Sequence, residues 1–206
     1  MIDKNVIKLI WWSFIGLALL FGFWSSATII KAGHRGVVLR FGQVTNRVLD
    51  PGFHWLLPYE IERAWIAEIR VQKEQVEAAA ASQDLQDVKS TLAINYHLDP
   101  NQVQWIFQNL GPKFRERIID PSIQESFKAV TAQFPVAELL TKRPEVKQKA
   151  MEILKDRLHK NNIIVDDLSI VNFNFSDEFN KAIEQKQVSQ QEAERASYKL
   201  EASKRD

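Results

Sequence analysis

Cysteine is absent from all 206 residues. That excludes disulfides, thiolate metal sites and thiol nucleophiles, and it removes the usual clue to redox compartment. An excess of positive charge is also missing, with 27 Lys+Arg set against 26 Asp+Glu. Residues 1–30 contribute Lys4, Lys8 and Asp3, so the remainder balances at 25 against 25. Proteins that bind nucleic acid generally draw affinity from cationic surplus over phosphates, so no nucleic-acid partner is expected. The four histidines, His34, His54, His97 and His159, are scattered and show no H-E-x-x-H spacing. The sequence has no G-x-S-x-G elbow, G-x-x-x-x-G-K-[ST] loop or G-x-G-x-x-G fingerprint. Asp166 and Asp167 fall in a strand-like stretch, where neighbours point to opposite faces and cannot share one site. Arg115, Arg117, Lys142 and Arg143 read as solvated surface charges. No catalytic, cofactor or metal residue is assigned, and the chain reads as non-enzymatic.

Charge is missing altogether from Leu9 to Ile30, 22 residues flanked by Lys8 and Lys31. As a helix this run would extend roughly 33 Å, enough for a bilayer core of about 30 Å. Trp11, Trp12 and Phe14 sit toward one end and Phe23 and Trp24 toward the other, where rings meet lipid headgroups. Leu9, Leu17, Leu20 and Ile30 complete the apolar surface of the expected single-pass anchor. A buried core helix of this length, apolar on every side, is uncommon in soluble domains. A signal peptide cleaved near Ser25-Ser26-Ala27 is the other reading, but its apolar core would exceed the usual length. Positive charge is somewhat richer after the run (Lys31, Arg35, Arg40, Arg47), which by the positive-inside rule weakly places the C-terminal side in the cytoplasm.

The body reads as α+β. Residues 36–41 are β-branched and apolar and form a first strand, and Asp50-Pro51-Gly52 marks a turn. The patch Phe53 to Pro58 reads as a core-facing loop, or as a second lipid contact through Trp55, Leu56 and Leu57. A strand is expected over 62–71. In 88–98, Val88, Leu92, Ile94, Tyr96 and Leu98 share one face, with Lys89, Thr91, Asn95 and His97 on the other. Period two over this length predicts a half-buried antiparallel strand. Val103, Ile106, Phe107 and Leu110 then follow helical spacing up to Gly111-Pro112. Ile119, Ile123, Phe127, Val130 and Phe134 line a second helix with Pro121 near its start. A third begins near Pro144, buries Val146, Ala150, Ile153, Leu154 and Leu158, and breaks at Asn161-Asn162. Residues 163–175 return to strand, with Val171, Phe173 and Phe175 on one face.

From Ser176 onward neither Gly nor Pro occurs. Ser176 is the expected N-cap, with Asp177 and Glu178 favoured in the first turn by the helix dipole. Phe179 and Ile183 are the large apolar residues of the first turns. One stripe is small: Ala182, Ser189, Ala193, Ala196 and Ser203, joined by Lys186 and Leu200. Such a face buries little apolar area, so the segment is either a solvated terminal helix or a helix packed closely against copies of itself.

Three blocks carry a resemblance to a known family. They are Asp84-Leu85-Gln86-Asp87-Val88, the stretch Gln124-Glu125-Ser126-Phe127-Lys128-Ala129-Val130 with Glu138-Leu139-Leu140-Thr141, and Lys186-Gln187-Val188-Ser189-Gln190-Gln191-Glu192-Ala193-Glu194-Arg195-Ala196. In this order behind an apolar N-terminus, the chain resembles prohibitins, within the stomatin/prohibitin/flotillin/HflK-HflC (SPFH, or Band 7) group. The likeness covers nearly all of 31–196. Ser189 stands where prohibitins usually carry Ala, and Pro144 where an acidic residue is common. Family chains usually continue well past Asp206, which makes the last segment either truncated or a shorter assembly contact.

The resemblance implies an N-terminal transmembrane helix, two small α/β subdomains and a long, coiled-coil-like helix. The expected division is 1–8 as a flank, 9–30 as anchor, 31–110 and 111–175 as the two subdomains, and 176–206 as the oligomerisation segment. It further implies a membrane scaffold without cofactor, assembled with copies of itself or a paralogue into rings or cages that organise membrane lipids. A membrane AAA protease is the implied partner, and protein quality control in a membrane microdomain the implied role. The implied location is a bacterial inner or mitochondrial inner membrane, with N-in/C-out orientation, opposite to the weak charge rule. The alternatives are a monomeric or dimeric adaptor for one protease, and a membrane-tethered hydrolase.

Overall fold

The computed structural model describes residues 11–17, 26–58 and 61–203, the last few helical residues by backbone alone. Two compact units emerge, each assembled from separate stretches of chain. The first comprises Met1–Gln72, Asn95–Ile119 and Arg157–Asp166; the second comprises Lys73–Ile94, Asp120–Asp156 and Asp167–Asp206. The units are thus interleaved along the chain, whereas the sequence reading set consecutive blocks at 31–110 and 111–175.

The first unit is built on short antiparallel strands. Strands β1 (Ala27–Ile30) and β4 (Gly52–Trp55) pair as a two-stranded ribbon. Strand β2 (His34–Arg40) lies between β3 (Gln43–Leu49) and β5 (Glu62–Glu68). Ile30, Val38, Leu49 and Leu56 form one buried cluster with Ala64 packed against it. Helix α1 (Val103–Leu110) lies against β2 and β3 and buries Val103, Ile106 and Leu110, the residues its spacing marks out. Gly111 ends it at φ 75°, donating its N–H to Ile106 and Phe107 carbonyls, a left-handed cap that a Cβ would oppose.

Helical residues 11–17 precede these strands, with Trp11, Trp12, Phe14 and Leu17 all largely exposed. Leu9, Leu20, Phe23 and Trp24 lie outside the described residues. Among the described residues no helix is long and apolar enough to cross a membrane. The expected 9–30 helix is corrected at its C-terminal end, where Ala27–Ile30 is strand β1. The physical reason is visible in the residues: Thr28, Ile29 and Ile30 are β-branched, and Ile30 is 2% exposed within the cluster above, not free for lipid.

The long strands lie mainly in the second unit, with residues 95–98 and 163–166 assigned to the first. Strand β6 (Gln72–Ala81) leads through a tight hairpin to β7 (Asp87–Leu98), and β8 (Ile163–Ile170) completes the order β6-β7-β8. The alternation along β7 is realised, with Val88, Ser90, Leu92, Ile94, Tyr96 and Leu98 buried. A π-helical turn (Arg115–Ile119) in the first unit leads into α2 (Asp120–Thr131), which buries Ile123, Phe127 and Val130. Helix α3 (Val136–Thr141) follows, then α4 (Arg143–His159) with Val146, Ala150, Leu154 and Leu158 buried. Asn162 adopts φ 58° at the break after α4.

The strand expected over 163–175 is interrupted. Asn172 Oδ1 accepts the Thr91 N–H at 2.9 Å, and its carbonyl accepts the Ser90 hydroxyl. Only Asn174–Phe175 resumes as β9, paired with Val88 and Lys89 of β7, and Val171 is 56% exposed. Helix α5 (Asp177–Ser203) follows, and Ser176 Oγ accepts the Phe179 N–H at 3.3 Å, as the expected cap.

Candidate functional site

The β1–β4 ribbon has two unlike faces. Its register sets Ala27 opposite Trp55 and Ile29 opposite Phe53, so these four side chains project to one side. Ile29 is 68% exposed, Phe53 56% and Trp55 44%, and Leu57 just beyond is 45% exposed. Phe53 and Trp55 meet edge to face with centroids 5.4 Å apart. The opposite side holds Ile30 and His54, whose Nε2 lies 2.7 Å from the Asp50 carbonyl. Of the expected lipid contacts, Trp55 and Leu57 are outward. Leu56 is corrected: it is buried in the core cluster, its alternate position in the strand direction turning it inward. Phe53 and Ile29 share this outward face and were not among the expected interface residues. The alternation Phe53-His54-Trp55 was the available signal, while Ile29 was absorbed into the uncharged run.

This face is held by one carboxylate. Glu62 Oε1 accepts from Arg40 Nη2 at 2.7 Å and Nε at 3.1 Å, while Oε2 accepts the Leu57 N–H at 3.2 Å and faces Arg47 at 3.7 Å. The hydrogen bond from Arg40 holds the Glu62 carboxyl below its ordinary pKa, against the opposing effect of burial and with help from Leu57 and Arg47. A buried anion so satisfied fixes the loop that follows Trp55.

The helical tail begins on an aromatic series. Phe127 and Phe173 stack at 6.4 Å, Phe173 and Phe175 at 6.2 Å, and Phe175 contacts Phe179 at 5.5 Å. Arg143 covers the Phe173 ring at 5.4 Å. Phe179 and Ile183 are half-buried, and Ala182, Ser189, Ala193 and Ala196 are exposed along α5. Spacings of seven, four and three put those four on one stripe of the helix. Val188 is also 51% exposed. Lys186 and Leu200 belong to the same helix, their side chains lying outside the described part.

The polar candidates dismissed from sequence are engaged in ordinary pairs. His97 Nδ1 lies 2.9 Å from Asp166 Oδ2, and Lys147 Nζ lies 2.9 Å from Asp167 Oδ1, the two acids facing different ways. Arg143 donates to the Ile170 carbonyl at 3.2 Å, and Lys142 pairs with Glu138 at 3.1 Å. Among the described residues no three His, Asp or Glu side chains gather as a metal site.

The ribbon's exposed apolar face and the long exposed helix both belong to an α+β body. The chain belongs to the SPFH domain / Band 7 family, whose model matches residues 28–204. Within that family its likeness is to prohibitins. It is 38% identical over 189 residues to prohibitin 1 of Drosophila melanogaster, covering 91% of this chain and 68% of that protein. To mitochondrial prohibitin complex protein 1 of Caenorhabditis elegans it is 36% identical over 189 residues, with the same two shares of 91% and 68%. Prohibitin-1 of Saccharomyces cerevisiae is 35% identical over 178 residues, 86% of this chain and 62% of that protein.

Proposed function

We propose that this chain is a non-enzymatic, membrane-bound scaffold. Its uncharged N-terminal run enters the bilayer, the Ile29–Phe53–Trp55 face rests in the lipid interface, and many copies pack side by side through α5. With β1 removed, the run retains residues 9–26, 18 residues, near the lower end of the roughly 17–25 that a spanning helix uses. The observation that carries the reading is the exposed apolar face of the β1–β4 ribbon, directly following that run. Contiguous exposed aromatics of this kind mark contact surfaces, and Trp in particular favours the lipid interface. The small stripe of Ala182, Ser189, Ala193 and Ala196 supports close helix–helix approach between copies, or with a paralogue.

In this reading the assembly is a ring or cage enclosing a patch of lipid and regulating which membrane proteins enter it. A membrane AAA protease is its partner in protein quality control. One similar protein is named for a mitochondrial prohibitin complex, which supports a mitochondrial membrane as location; the N-in/C-out orientation rests on the family resemblance alone. The decisive experiment is flotation of the full chain with liposomes, followed by electron microscopy of the detergent-extracted particle. Co-flotation and large multi-copy particles are expected. A chain that stays at the bottom of the gradient would remove the anchor and the interface contact together. A monomeric or dimeric particle would favour the adaptor reading instead.

A further inference from the structure

The β6–β7 hairpin ends on an unusual residue. Leu85 has φ 59° and is 84% exposed. A branched apolar side chain is disfavoured there twice, by its left-handed backbone, which Gly or Asn would adopt freely, and by its contact with water. The turn around it is firmly built. Ser82 donates its N–H to the Gln86 carbonyl at 2.9 Å and receives that of Leu85 at 3.0 Å. Asp84 Oδ1 accepts the Ser82 hydroxyl at 2.6 Å and the Val136 N–H at 3.0 Å. The tip therefore presents Leu85 in a fixed position, which lowers the ordering cost of any contact it makes. Residues 83–87 carry two carboxylates, Asp84 and Asp87, and no cation.

The first unit holds a surface of opposite kind. An open cleft of about 600 Å³ is lined by Leu39, Ala64, Trp65, Phe107 and Pro112, with Arg63 as the charged residue and no carboxylate in the lining. Trp65 and Phe107 form its floor, with centroids 4.7 Å apart. Phe41, at φ 48° and 79% exposed, stands on its rim.

We propose that the hairpin tip of one copy docks in the Trp65–Phe107 cleft of the next, with Leu85 in the cleft and Asp87 facing Arg63. The inference rests on the assembly reading above and deepens it by naming a second contact between copies. The occupant is a second copy because an exposed apolar tip flanked by carboxylates and an apolar cleft bearing a cation occur on the same chain. A contact between two different patches is head-to-tail, the type that closes rings.

The test uses the full chain in detergent and reads particle mass against concentration. Leu85→Asn suits φ 59°, so thermal stability is retained or raised. The concentration needed for assembly rises at least about tenfold, as expected when a buried leucine is lost from a contact. Arg63→Asp and Asp87→Arg each weaken assembly alone. Mixing the two single variants restores it, because each cleft then meets a tip of opposite charge. Unchanged assembly by Leu85→Asn, or single charge variants that mixing fails to rescue, would overturn the docking while leaving assembly through α5 intact. Rescue by the double variant in one chain but not by mixing would place the contact within a copy, also overturning the proposal. A monomeric wild-type particle would overturn both this contact and the reading it rests on.

Discussion

Arg40 and Glu62 sit opposite each other across β2 and β5, joined by two hydrogen bonds to a single carboxylate oxygen. The Glu62 side chain is 3% exposed, while that of Arg40 is 56% exposed. The pair is half in water, yet the acid alone carries the burden of burial. Its other oxygen reaches the Leu57 N–H, so the same group that closes the sheet also fixes the outward-facing loop. Replacement by Gln leaves Arg40 and Arg47 without their anion. A loss of about 1–3 kcal/mol in stability is expected, below the figure for a fully buried pair because Arg40 is wet. Urea denaturation of wild type and Glu62→Gln would measure it.

The same carboxylate sets an acid limit. Its folded-state pKa is lowered, chiefly by the Arg40 hydrogen bond. A lowered carboxyl pKa contributes stability in full above the unfolded value, about 4.3 for Glu. The contribution falls away as pH drops through the folded value. Thermal melts from neutral to acid should therefore converge for wild type and Glu62→Gln below the ordinary carboxylate range. Curves that stay parallel through that range would show that the pair stores no pH-dependent stability.

The two faces of the β1–β4 ribbon should respond oppositely to charge. Phe53→Asp and Trp55→Asp place a carboxylate on an exposed face, so the melting temperature should hold while binding to liposomes weakens. Ile30→Asp buries an unpaired carboxyl among Val38, Leu49 and Leu56. That change should destabilise the first unit by about 3 kcal/mol or more. Tryptophan quenching by lipid-borne quenchers would report the depth of Trp55 directly, and no quenching would remove it from the interface.

Along α5, Ala193→Trp and Ala196→Trp add bulk to exposed positions. A single chain should fold unchanged. In a close-packed assembly each overpacked contact costs about 1–3 kcal/mol. Large particles should be lost in light scattering at matched concentration, with circular dichroism unaltered. Particles of wild-type mass in both variants would rule out this stripe as a packing surface.

Asp84 links two elements that lie far apart in the chain. Its carboxylate serves the hairpin through Ser82 and the start of α3 through Val136, and the Ser82 hydrogen bond holds its pKa below the ordinary range. Asp84→Ala should cost about 1 kcal/mol, the usual scale for a lost helix-start acceptor. Chemical denaturation would read it, and a cost near zero would make the Val136 contact incidental.

Much of this was legible in advance. The alternation of β7 and the spacing of α1, α2 and α4 lie in residues whose burial sets the period, and those elements form as read. What escaped notice has little burial to announce it. β3 buries only Leu49 and exposes three of its seven residues, so its sequence carries no apolar alternation. β6 is an edge strand of Gln, Lys, Glu and Ala with Val76 alone β-branched, a composition that favours helix by propensity and becomes strand through its partner. β1 was hidden because its apolar residues continued those before it, and only pairing with β4 separates them. The break at Asn172 rests on a side chain replacing a backbone bond, which no periodicity signals. Of the candidate surfaces, Trp55 and the α5 stripe were visible as residue types. Phe53 and Leu85 became candidates only once strand register and turn conformation were known.

The run of phenylalanines from Phe127 to Phe179 has a mechanical corollary. One residue, Ser176, separates β9 from α5, and ring-on-ring contact spans that junction. The departure angle of the tail is accordingly dictated by the second unit's interior, as a beam is set by its socket. In the assembly proposed above, the curvature between copies would be set at that joint, and widening or narrowing the enclosure would require repacking aromatic rings.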